Sequence, residues 1–488
     1  MSKRRGPRTI SAAPHSLPLR PRAPARVGFV AATQALLLDA VRAAPRRYRL
    51  PPLPADVAAA RAAEPQVALA FAIEHARLAV QAGVPPSPDV RDLFAECLAR
   101  LIATAVRPDA GDAAFQAQVL RASDPQVAHY VRLAAAEAVH RRSLRTRMDA
   151  LAHPGKLRGV APGAVRDALA QLHAAAVAQD WALFAAGVEQ HLAQATLHEL
   201  HPALDVLQRD PALQALLALQ RLATAPAVQR YLALCARRGP LAGSDAAASS
   251  GRAAARLGDA AEQAAVAAFD AIAAALERHE SGHAAGPAHR VAAGLRMPPG
   301  FPGAAGKAKD EWDVALVRSP QPGAAADLLL LAEVKAAPAA ATSDFSRLHR
   351  GLERLALADP ARAYDFPAAG APVRLTGASL QALRPAGRAL PPQVVYCCQA
   401  PPEAQPQLLA AATQSVLLSE PASLAFAQRL LAGAAPPPRH LAPVWEALAS
   451  EPRLRAALHQ DPTARMVREA MVHPQDLVGA LRTRAHMP

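Results

Sequence analysis

The pattern of apolar residues changes character near residue 250, and that change constrains the fold more than any other feature. From about Ala55 to Arg238 apolar side chains recur at helical spacing, as in QVALAFAIEHARLAVQAG and VRDLFAECLARLIATAV. Asp124-Pro125 and Asp210-Pro211 mark helix starts: Asp caps free N–H groups and Pro suits the first helical position. No fixed repeat period is present, so the stretch reads as an irregular helical domain and not a solenoid. RRGPLAGSDAAASSGRAAAR then reads as a linker, followed by a helix from about Gly258 to His279. Strand-like runs come next: HRVAAGLRM, EWDVALV, DLLLLAEVKA, QVVYCCQA and SVLLS, with the helix SDFSRLHRGLERLA among them. The expected class is α+β, mostly α. It comprises a basic arm (1–54), a helical domain (55–238), a linker (239–257), an α/β domain with a mixed sheet of about four to five strands flanked by helices (258–435), and a helical C-terminal tail (436–488).

Composition narrows the partners. Of 488 residues, 52% are hydrophobic and only 4% aromatic, so alanine-rich helices pack through small contacts. The formal charge of +14 favours anionic partners, nucleic acid before acidic membrane surfaces. The segments MSKRRGPRTI, RPRAPAR and RRYRLPP mix basic residues with prolines and lack the apolar region of a secretory signal, which suggests a disordered basic arm. No run of 18 strongly apolar residues suggests a transmembrane helix. Cys97, Cys235, Cys397 and Cys398 show no metal-binding spacing, a pattern expected of a reduced, cytoplasmic protein.

The chain has five lysines against 49 arginines, yet Lys335 stands two residues after Glu333 at the end of an apolar strand. Alternate residues of a strand share a face, so the two charges point the same way. Burying either alone is costly, which calls for mutual neutralisation, a metal or solvent access. If EWDVALV pairs with this strand through the RSPQPG turn, Asp313 lies beside Glu333 while Trp312, Val314 and Leu316 face away. Two carboxylates and a lysine around one point suit Mg²⁺ or Mn²⁺ bound with waters and a phosphate oxygen. Asp310 and Glu311 are alternative ligands within the same loop and strand. Glu262 heads the stripe Val266, Phe269, Ile272 and Leu276 on the preceding helix, an odd place for a charge unless it reaches toward the metal.

Gly258-x-x-x-Glu262, Asp313 and Glu333-Val334-Lys335 together resemble the PD-(D/E)xK nuclease superfamily over about residues 251–431. The resemblance implies a restriction-endonuclease-like core and metal-dependent phosphodiester hydrolysis, with DNA the expected substrate. By that resemblance Asp313 and Glu333 are metal ligands, Lys335 the catalytic lysine and Glu262 an accessory acid. Trp312 precedes Asp313 where the family often has Pro. On SDFSRLHRGLERLA, Phe345, Leu348, Leu352 and Leu355 form an apolar face, and Arg347, Arg350 and Arg354 form another that could hold phosphates.

Other signals carry less. His198-Glu199-Leu200-His201 spaces its histidines three apart where a zincin motif needs four, so it reads as a solvated helix end. GFPGAAGK lacks phosphate-loop spacing and reads as a flexible loop near the site. A core of this kind without its chemistry would be a binding module for nucleic acid or protein. A helical scaffold whose charge is only compositional would show no salt-sensitive binding to nucleic acid.

Overall fold

Asp side chains start several of the helices, as their sequence positions suggest. Asp124 accepts hydrogen bonds from the N–H groups of Gln126 and Val127, and Asp210 from that of Ala212. The computed structural model describes residues 25–237, 245–280, 288–304, 306–321 and 323–485. The chain divides into two compact units, residues 50–257 with 403–465 and residues 1–49 with 258–402 and 466–488.

The first unit is helical. One of its cores is built by Pro65–Ala82 and Pro88–Ala105 together with Ala411–Ser419, Pro421–Leu431 and Ala442–Ser450, around Phe71, Phe94 and Trp445. A second core gathers Leu144 and Met148 with Leu172, Trp181, Phe184, Leu204 and Leu213. The boundaries expected at 435 and 436 are therefore corrected: residues 403–465 belong with the helical unit. SVLLS is not a strand but part of the helix Ala411–Ser419. Leu417 and Leu418 are buried and Val416 is 37% exposed, a distribution that strand alternation does not produce. His198 and Glu199 lie in a 3₁₀ turn, and Pro202 stands at the start of the next helix, His201–Gln208.

The second unit is built on a mixed sheet. Its elements are α1 (Ala25–Ala43), α2 (Asp245–Glu280) from Gly258 onward, β1 (Ala288–Arg296), β2 (Glu311–Ser319), β3 (Asp327–Lys335), α3 (Ala340–Leu355), β4 (Ala363–Phe366), β5 (Val373–Thr376), α4 (Gly377–Gln381), β6 (Val394–Cys398), α5 (Gln460–Glu469) from Met466 onward, β7 (Met471–Val472) and α6 (Pro474–Ala485). The sheet order is β1-β2-β3-β6-β7, and β4 and β5 form a separate hairpin. β1, β2 and β3 are antiparallel neighbours, whereas β6 and β7 add in parallel. On one face α1, the later part of α2 and α6 cover Val314, Leu329, Leu330, Val395 and Cys397. On the other, α3, α4 and the hairpin cover Ala315, Leu328, Leu331 and Tyr396.

Three expected boundaries change here as well. Residues 245–257, expected as linker, form the start of α2; residues 238–244 lie outside the described residues. The basic arm lies outside them only up to residue 24. Beyond that α1 forms, Leu37 and Ala40 are buried, and the Tyr48 hydroxyl is 2.6 Å from Cys398 O and 2.8 Å from Ala400 O. The expected tail supplies β7 and α6 to the sheet unit. β7 is only two residues long, too short for any periodic signal.

Candidate functional site

The β2–β3 pairing runs to Val314↔Ala332, and Asp313 and Glu333 are the next residue of each strand. Across the next strand Glu333 pairs with Tyr396. Asp313, Glu333 and Tyr396 therefore form a row over three adjacent strands. Lys335 follows on the same face of β3, its Nζ 2.6 Å from Glu333 Oε1. The sequence signal at Glu333 and Lys335 thus marks a real contact.

Asp313 stands where the alternation of faces along β2 changes, although the β1–β2 register runs on unbroken. Gly294, between the pairs Ala293↔Val314 and Leu295↔Trp312, has φ +58°, in the left-handed region that suits glycine. On the two sides of this point the alternation of faces shifts. Trp312 joins Ala315 and Val317 in one core, while Val314 and Leu316 lie in the other. The expected row Trp312, Val314, Leu316 is thereby corrected. Asp313 Oδ2 accepts a hydrogen bond from Val334 N at 2.7 Å, so a side chain completes the ladder beyond the last backbone pair. The alternatives lie elsewhere: Glu311 pairs with Arg296 at 3.1 Å, and Asp310 is exposed.

Three participants were not picked out from sequence. Lys309 brings a second ammonium to Glu333 Oε1, also at 2.6 Å. Asp344, at the start of α3, lies 3.1 Å from Lys335 Nζ. Tyr396 is fully buried, and its hydroxyl has no hydrogen-bond partner among the described residues. The count of five lysines could have pointed to Lys309, since two of them meet at this one oxygen. Asp344 and Tyr396 carry no such signal, because an acid early in a helix and a tyrosine in an apolar strand are ordinary.

Electrostatics at this point are governed by burial. Glu333 is 1% exposed, and burial, then Asp313, push its carboxyl up to about 7 against the pull of Lys309 and Lys335. Burial would lower Lys335, but Glu333 and Asp344 outweigh it and hold the amine above its ordinary value, as an ammonium. For Asp344 burial is likewise opposed, and Lys335 and Lys309 draw the carboxyl below its ordinary value. Burial, Asp313, Asp259 and Glu311 raise Glu262, which lies on an exposed part of α2 within electrostatic reach of Asp313. The stripe below it is buried at Phe269, Ile272 and Leu276. Burial raises the Tyr396 phenol, reinforced by Asp344 and Glu333.

The three arginines divide. Arg350 Nη2 donates to Lys307 O at 3.0 Å, and Arg354 Nε to Pro302 O at 3.3 Å, so both tie the loop before β2 to α3. Arg347 is exposed. Among the described residues no group of three or more His, Cys, Asp and Glu side chains is placed to hold a metal ion, so Glu262 is not gathered with Asp313 and Glu333 into a common ligand set. Two oxygen donors do fit a hard cation. Glu333 Oε2 is buried without a hydrogen-bond partner among the described residues, and Val334 engages only one oxygen of Asp313. Asp313 lies in electrostatic reach of Glu333, which with Asp344 meets the Lys335 ammonium, an oxygen-rich point of the kind that suits a hard divalent cation.

Comparison of the chain with models of known families, with curated proteins and with solved structures returns no match. Among the described residues no helix is long and apolar enough to cross a membrane.

Proposed function

We propose that the sheet-bearing unit is a divalent-cation-dependent nuclease with a restriction-endonuclease-like core, hydrolysing phosphodiester bonds in DNA. The observation that supports this reading is the nearness of Asp313 and Glu333 at the end of adjacent strands, with an oxygen of Glu333 that lacks a hydrogen-bond partner among the described residues and Lys335 at the same point. Mg²⁺ or Mn²⁺, which binds through one or two carboxylates plus substrate phosphate, would be held by Asp313 and Glu333 and would supply Lewis-acid stabilisation of charge at phosphorus. Lys335, kept as an ammonium by Glu333 and Asp344, offsets negative charge on the phosphate and orients the attacking water. Asp344 fixes the lysine's position. Glu262 stands near Asp313 as an accessory acid. A cytoplasmic setting goes with this reading, and none of the four cysteines is joined in a disulfide among the described residues.

The test is incubation of the purified chain with plasmid and single-stranded DNA in Mg²⁺, Mn²⁺ or EDTA, beside Asp313→Ala and Lys335→Ala. The reading expects cleavage that EDTA and either substitution abolish. Binding without cleavage would assign a non-catalytic module instead. Neither binding nor cleavage would leave the carboxylate–lysine group a structural ion cluster.

A further inference from the structure

Glu333 Oε1 holds two ammonium groups where one neutralises it, and the two are not held alike. Lys335 forms a second ion pair, with Asp344 at 3.1 Å. Lys309 is hydrogen-bonded to Glu333 alone among the described residues, although an ammonium has three protons to donate.

The backbone that carries Lys309 is fixed on both sides. Lys309 N donates to Arg347 O at 3.0 Å, Met297 N donates to Asp310 O at 2.7 Å, and Arg350 grips the carbonyl of Lys307. A Cβ on Gly351 of α3 would stand 2.8 Å from Lys309 O, so the loop lies directly against the helix. The anchor is therefore fixed, and any reorientation of the ammonium falls to the rotatable bonds of its four-carbon stem. Its side chain is 12% exposed, at the rim of the site beside the exposed Lys307 and Arg347.

We infer that Lys309 is a phosphate-contacting residue: a bound phosphodiester draws its ammonium from Glu333, while Lys335 remains between Glu333 and Asp344. The inference rests on the nucleic-acid reading given above. Its physical basis is the charge of the site. Beside Asp313, Glu333, Asp344 and Glu262 an anionic phosphodiester gains from each cation turned toward it, and of the two ammonium groups on Glu333 that of Lys309 has the fewer other ties.

The experiment measures binding of a fluorescently labelled DNA duplex by anisotropy over a series of KCl concentrations, with Ca²⁺ replacing Mg²⁺. Wild type is compared with Lys309→Met, Lys309→Gln and Lys309→Arg, each checked for folding by circular dichroism. A lost phosphate contact lowers the slope of log K against log salt by about 0.9. Methionine and glutamine are expected to lower it by that amount and arginine to preserve it. A purely structural lysine would leave the slope unchanged, so wild-type slopes in Lys309→Met and Lys309→Gln overturn the inference alone. Absence of salt-dependent binding by wild type overturns it together with the nucleic-acid reading.

Discussion

Replacing Gly351 by alanine tests the placement of the Lys309 loop without touching a charged group. The new Cβ would meet Lys309 O at 2.8 Å, Lys309 Cβ at 3.1 Å and Trp312 Cζ2 at 3.3 Å. Two of those neighbours belong to the backbone or its first carbon and cannot swing aside. Overpacking of this kind costs about 1–3 kcal/mol, whereas alanine in place of glycine inside a helix contributes about 1 kcal/mol. The close approach to a carbonyl puts the cost in the upper part of its range, so Gly351→Ala should destabilise the sheet unit by about 1–2 kcal/mol. Gly479→Ala on α6 is the matched control: it is helical and exposed, with nothing within 4 Å of its added Cβ, and should stabilise by about 0.5–1 kcal/mol. Denaturant unfolding gives both numbers, using the transition reported by Trp312, since Trp181 and Trp445 lie in the helical unit. If Gly351→Ala proves as stable as Gly479→Ala, the loop does not press on α3, and the positioning of Lys309 by that contact is wrong.

Asp313→Ala removes the acceptor of the Val334 N–H and should cost about 1–3 kcal/mol, whereas Asp313→Asn keeps an acceptor oxygen and most of the stability while losing cleavage; unfolding and cleavage assays on both variants separate the two roles. The carboxyl of Glu333, pushed up to about 7 chiefly by burial, binds its proton more tightly folded than unfolded. In the absence of divalent cations its contribution is fully present below the ordinary carboxyl range and is lost as pH rises to about 7, amounting to about 3 kcal/mol. Urea unfolding from pH 4.5 to 8 should show that decline in wild type, and Glu333→Gln should remove it. Truncation after Arg465 removes β7 and α6, uncovering the edge of β6 and the core around Val395 and Cys397; the shortened chain should lose the folded sheet unit, read as lost protection of the β3 and β6 amides in hydrogen exchange.

Much of the sheet was legible because its strands are long and apolar. β1, β2, β3 and β6 stand where their runs indicate, and the RSPQPG segment joins β2 to β3 as expected. The misread run SVLLS holds only three apolar residues, too few to tell strand from helix, and packing of Leu417 and Leu418 into a helical core resolves it. The domain limits were illegible for a different reason. Residues 25–49 and 466–485 complete the sheet unit from opposite ends of the chain, and such long-range closure leaves no local pattern. At the site, Glu333, Lys335 and Asp313 were readable from strand spacing. Lys309 was not, because it reaches Glu333 from an irregular loop whose course depends on Gly351, Arg350 and Arg354 some forty residues later.

The central claim is that the oxygens of Asp313 and Glu333 gather a divalent cation at this point, and titration with Mn²⁺ followed by electron paramagnetic resonance tests it most directly. Wild type should bind one Mn²⁺ at a site that Mg²⁺ competes for, and Asp313→Asn and Glu333→Gln should each abolish that site while remaining folded. Absence of a bound ion in wild type, or equal binding by the two variants, would contradict the account.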